Sequence, residues 1–95
     1  MISDMGPLVD ALRNKLIVSL DYMKETGEVV IHRVGIYEIG PNKKGNDSLW
    51  GWDVDLQDHI RNFLISNIQN FQVLTETFNP PQPYPLKLNG EIIGY

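Results

Sequence analysis

The chain has no cysteine. That excludes a disulfide framework and a thiolate metal site. It also lacks any apolar run near the roughly 18–20 residues that cross a bilayer. The opening segment MISDMGPLVD has no basic region followed by an apolar stretch, so no signal peptide is expected. The expected setting is cytoplasmic, with no membrane partner. Cations are scarce: 8 Lys and Arg face 12 Asp and Glu, for a formal net charge of −4. Bulk attraction to nucleic acid is therefore unfavourable, and weak binding through a local patch is the most that the charge allows. There is no Gly-rich phosphate motif, no serine-nucleophile motif and no paired-acid site. The two histidines, His32 and His59, stand far apart in sequence. No catalytic residue, cofactor or metal site is expected, and the chain does not read as an enzyme. The acidic stretch DVDLQDH, from Asp53, fails as a calcium loop, because Asp58 and Leu64 stand where glycine and glutamate are needed. It reads instead as a solvated turn between strands.

What is present is a change of period. Pro7 suits a first helical turn, and Leu8, Leu12 and Leu16 recur every four residues, predicting a helix over about 6–15. From Leu16 the period becomes two, with Leu16, Val18, Leu20 and Tyr22 on one face and Ile17, Ser19, Asp21 and Met23 on the other. ETGE then makes a turn, with Gly27 at its left-handed position. EVVIHRVGIYEIG is a long second strand in which Gly35 suggests a bulge or bend. PNKKGND is an exposed loop, and Lys43 and Lys44 read as its solvated charges. SLWGWDVD is a third strand, with Trp50, Trp52 and Val54 on one face and Asp53 and Asp55 on the other. IRNFLIS and FQVLTETF are the fourth and fifth strands, with a one-turn helical connector at SNIQN. NPPQPYP ends the run because its prolines lack donors. The tail LKLNGEIIGY either adds a strand or packs on the barrel.

Five curved strands in a chain of 95 residues predict a mainly β protein. The expected form is a small SH3-like five-stranded barrel with a short N-terminal α-helix. It is expected to be one domain over 1–95, with the barrel over about 16–78 and a C-terminal extension over 79–95. The expected core is Val18, Leu20, Tyr22, Val34, Trp52, Phe63, Ile65, Ile68 and Val73.

The order of these segments resembles the WYL domain, a small SH3-like, Sm-like β-barrel found mostly in bacterial regulators. ALRNKLIVSLDY is similar to that family's opening helix and strand. TGEVVIHRVGIYEIG resembles its second strand, and LWGWDVD stands where the family has its name-giving aromatic strand. IRNFLISNIQNFQVLTETF resembles its closing pattern of an Arg-x-Phe strand, a turn ending in Ile and a strand ending in Phe. The resemblance implies a ligand-sensing barrel, with nucleotide-like or single-stranded nucleic-acid ligands. The family usually has basic residues where this chain has Leu64 and Asn67, and a proline where it has Ile36.

Two groups of site residues follow. The candidate ligand-binding residues are Arg61, Arg33, His32, Trp50 and Trp52. Arg61 leads because it matches the family's Arg-x-Phe arginine and a planar guanidinium suits phosphate. The candidate interface residues are Leu64, Ile60, Ile17 and Leu74, expected to extend one outward apolar surface. The altered basic positions and the negative charge favour a regulatory or interaction module that associates with itself or with a protein partner. Ligand sensing is the alternative.

Overall fold

The computed structural model describes residues 4–81 and 83–95. Helix α1 spans Gly6–Asn14, with Pro7 in its first turn. It buries Leu8, Ala11 and Leu12, a spacing that puts all three on one stripe. Lys15 closes it in the left-handed region at φ 54° and sends the chain straight into a strand.

The strands are β1 (Leu16–Met23), β2 (Val29–Pro41), β3 (Asp47–Asp53), β4 (Ile60–Leu64) and β5 (Ile68–Thr77), followed by β6 (Leu86–Leu88) and β7 (Glu91–Gly94). A single 3₁₀ turn, Ile65–Asn67, joins β4 to β5. Along the main path the order is β4-β3-β2-β1-β5, an SH3-like arrangement of antiparallel neighbours. The long β2 is shared. Its first half pairs with β1, and its second half pairs with β3 on one side and with β6 in parallel on the other. A register shift between Ile36 and Glu38 lets β2 change partners.

The architecture departs from the expected five-stranded barrel in two ways. The tail adds β6 and β7, so among the described residues the sheet has seven strands. Among the described residues no ladder joins β4 to β5, so the sheet does not close. β4 is only 5 residues long, and the Leu64 N–H donates to the Tyr22 hydroxyl at 3.0 Å instead of to a strand. The expected proline stop after β5 includes Gln82, which lies outside the described residues.

The core holds Val18, Leu20, Val34, Phe63, Ile65 and Ile68 as expected, all buried. Tyr22, Trp52 and Val73 are only half-buried at its margin. Trp52 marks an error of phase. The inner face of β3 carries Leu49, Gly51 and Asp53, while Trp50 and Trp52 point outward. The cause is space: a Cβ on Gly51 would stand 3.2 Å from both the Val34 side chain and the Gly35 carbonyl. An inner layer that tight leaves no room for indoles, so they face out. The bend expected at Gly35 falls instead at the nearby register shift. Gly35 serves packing: a Cβ there would fall inside the Phe78 ring. Phe78 thus seats the chain after β5 against the outside of β2.

Candidate functional site

The sheet divides the candidate residues between two faces. On the inner face, His32 lies on β2 beside Leu20 of β1 and in phase with Val34. Its Nδ1 is 2.7 Å from the Asp53 Oδ2, and both side chains are nearly closed to solvent. The other Asp53 oxygen, Oδ1, accepts the N–H groups of Asp55 and Leu56 at 2.9 and 3.0 Å. Burial pushes the Asp53 carboxyl up, but the His32 bond and the Leu56 and Asp55 amides outweigh it and hold the group below its ordinary value. Rings of Tyr22 and Phe63 meet edge to face at 5.1 Å, and those of His32 and Phe63 at 5.2 Å. His32 is therefore part of a closed polar knot inside an aromatic wall.

Arg61 pairs with Gly51, in phase with Phe63. Its Nη2 donates to the Asp58 Oδ2 at 2.7 Å, and its Nε is buried without a partner. Slight desolvation raises the Asp58 carboxyl, but the His59 amide and the Arg61 charge outweigh this and lower it. Arg33, on the outer face, donates to the Asp55 Oδ1 at 3.0 Å and to both oxygens of Glu76 at 2.9 Å. Arg33 is thus answered by two of this chain's own carboxylates and Arg61 by one, through its Nη2.

The outer face of β3 and β4 brings together residues that the sequence had assigned to separate roles. Trp52 is opposite Ile60 and Trp50 is opposite Asn62 in the ladder. Leu64 is in phase with both Ile60 and Asn62. Ligand candidates Trp50 and Trp52 and interface candidates Ile60 and Leu64 therefore share one surface. Tyr84, 54% exposed, lines one hollow with Trp50 and Ile60 and another with Trp52 and Ile60. Beyond Trp50 the surface opens into a cleft of about 560 Å³, lined by Tyr22, Trp50, Leu64, Asn62, Lys43 and Lys44. The Asn42 side-chain oxygen accepts the N–H groups of Lys44 and Asn46, both at 3.0 Å, which fixes the loop carrying the lysines.

The other interface candidates add little exposed area to this surface. Ile17 is 6% exposed, which corrects the expectation that it is available to a partner. It is on the outer face opposite Gly35, but Phe78 fills the hollow that Gly35 leaves and closes over it. Leu74 is half-buried against the core.

Sequence reasoning missed Asp53, expected on a solvated face and found buried. The available signal was its position, an aspartate at a strand end two and three residues before the amides of a turn. Its pairing with His32 depends on strand register, which local pattern does not give. Among the described residues no group of three or more His, Asp or Glu side chains is placed to hold a metal. No helix among them is long and apolar enough to cross a membrane.

No protein-family model matches the chain, and no curated protein matches it. A solved structure does. The chain is similar to proteasome accessory factor B/C (PafBC) of Arthrobacter aurescens. The TM-score is 0.70 at 26% identity, over 81% of this chain. The match spans 12% of the length of that protein. This likeness supports a distant link to the WYL-like domains that the sequence resembles.

Proposed function

We propose that this chain is a non-enzymatic regulatory module that works by protein association through the outer face of β3 and β4. The observation that supports this reading is the grouping of Trp50, Trp52, Ile60 and Leu64 on one half-open face. The arginines that would answer an anionic ligand are already paired internally. Indoles set among aliphatic side chains are the composition of interface centres. The name of the structural relative, an accessory factor, also supports a protein that acts together with others.

Leu64→Glu tests the reading. Leu64 is half-buried in an open cleft, so the fold should survive, while a desolvated carboxylate should break the association. Tagged wild-type and variant chains are purified from the native host, and their circular dichroism is compared. A protein that co-purifies with the wild type and is lost from a folded Leu64→Glu chain is the expected result. Equal recovery with both folded chains would sink the reading.

One observation favours ligand sensing as a second reading. Lys43 and Lys44 border the cleft beside the Trp50 indole, a setting for an anion that carries a flat ring. A nucleotide-like or single-stranded nucleic-acid ligand would bind there weakly and with salt sensitivity. Titration of Trp fluorescence with a nucleoside monophosphate should then respond to Lys43→Ala with Lys44→Ala and not to Arg61→Ala.

A further inference from the structure

The first third of β2 has one neighbour. Residues Val29–Arg33 pair with β1, while the β3 ladder begins at Val34 opposite Asp53. Which backbone groups face the free side follows from the turn. The Lys24 N–H donates to the Glu28 carbonyl at 2.8 Å. Antiparallel pairs alternate between hydrogen-bonded and non-bonded. Counting up the ladder, Tyr22–Val30 and Leu20–His32 are bonded, whereas Met23–Val29, Asp21–Ile31 and Ser19–Arg33 are not. The N–H and C=O groups of Val29, Ile31 and Arg33 therefore point away from β1. Arg33 confirms the phase, because its carbonyl accepts the Val54 N–H at 2.9 Å on that side. For Val29 and Ile31, no strand among the described residues lies there.

Those two residues are also exposed apolar side chains, Val29 at 51% and Ile31 at 68%. Natural sheet edges are guarded by shortness, by a covering loop or helix, or by side-chain and backbone devices: lysine, proline, an inward charge or a bulge. This free edge is short, so the side-chain and backbone devices are the ones to look for. The run Val29-Val30-Ile31 has none of these. The outer edge of β5, by contrast, is dressed with Gln69, Asn70, Gln72 and Glu76. The free end of β4 is occupied at Leu64 by the Tyr22 hydroxyl.

We infer that the Val29–Ile31 edge of β2 is a self-association surface, and that its partner is the same edge of a second copy. A two-fold axis normal to the sheet pairs residues of like phase. With Val30 on the axis, Val29 of one copy meets Ile31 of the other. All four outward N–H and C=O groups on each chain segment are then used in two hydrogen-bonded pairs. The neighbouring register, with Ile31 on the axis, would call on the Arg33 carbonyl, which Val54 already holds. In the favoured register Glu28 faces His32, and no like charges oppose each other. The contact is isologous, so it closes as a dimer and does not run on as a fibre. This surface is separate from the outer face of β3 and β4.

Light scattering of the whole chain over a range of concentrations tests the inference. The expected mass rises from 10.9 kDa toward twice that value. Ile31→Lys should move the midpoint concentration up by about tenfold or more, since it guards the edge and removes an apolar contact. Leu64→Glu should leave the midpoint where it is. Because the chain has no cysteine, Val30→Cys gives a register test. Residues paired at the axis without hydrogen bonds have Cα atoms about 4.5 Å apart, within disulfide range. Val30→Cys should therefore cross-link to itself under mild oxidation, and Thr26→Cys in the turn should not. A wild type that stays monomeric near millimolar concentration would overturn the inference. So would a dimer broken by Leu64→Glu and untouched by Ile31→Lys, an outcome that leaves the proposed function standing.

Discussion

The two faces of this sheet solve opposite problems. The inner face at His32, Asp53 and Phe63 is closed: Asp53 has three donors, and each ring meets another ring edge to face. The outer face at Trp50, Trp52, Ile60 and Leu64 is open, with large apolar groups half-covered and two lysines at its border. Closure gives stability and leaves little chemistry to offer. Openness gives little stability and leaves a surface for binding. Substitutions on the two faces should therefore separate folding from association.

The largest effect belongs to the inner face. Phe63 is 2% exposed, and Phe63→Ala should cost about 3–5 kcal/mol, a large share of the stability of so small a protein. Trp50→Ala removes a larger ring but a half-exposed one, and should cost under about 2 kcal/mol. Urea melts of the two variants decide the comparison. If Trp50→Ala proves the more damaging, the outer face belongs to the core.

Next comes the buried carboxylate. Asp53→Ala strands His32 and the amides of Asp55 and Leu56, and should cost about 2–4 kcal/mol. The same group sets a pH dependence. Its folded pKa lies below the ordinary 3.8, so its contribution is whole above that value and is lost as pH falls through the lower folded value. Urea midpoints of the wild type should fall over the acid range, and Asp53→Asn should flatten part of that fall. Parallel curves for the two proteins would show that Asp53 contributes no such linkage.

Much of the scaffold was legible in the sequence, because the alternation of Val18 with Leu20 and of Phe63 with Arg61 is local. The helix and the turn at Gly27 were legible for the same reason, as was a single turn between β4 and β5. That turn falls at Ile65–Asn67 and not over SNIQN, so β5 begins at Ile68, three residues ahead of Phe71. The phase of β3 was not. LWGWD alternates cleanly, but which alternate faces inward depends on how closely β2 approaches Gly51. The burial of Ile17 depends on Phe78, far along the chain, lying against Gly35. Residue types at the candidate site were legible, and their grouping was not. The sequence points to Trp50 and Trp52 as ligand contacts and to Leu64 and Ile60 as an interface, yet one face carries all four. Arg33 and Arg61 stand out in the sequence by charge and, for Arg61, by the Arg-x-Phe pattern, but sequence spacing gives no sign of Glu76 beside Arg33.

The smallest expected effect concerns that arginine and sharpens the contrast of faces. Arg33 holds Asp55 and Glu76 in good geometry, but all three side chains are at least a third exposed. Exposed pairs give up much of their attraction to solvent and to the ordering of long side chains, leaving about 0–1 kcal/mol. Arg33→Ala should therefore shift the urea midpoint only slightly, and a double-mutant cycle with Glu76→Ala should give a coupling below about 1 kcal/mol. Raising the salt should shrink that coupling further, because exposed charges are screened. The His32–Asp53 pair, measured the same way, should be larger and nearly indifferent to salt. A coupling at Arg33 as large as the one at His32 would mean that the outer ion pairs lie in a drier setting than their exposure indicates, and the division between a closed face and an open one would fail at Arg33.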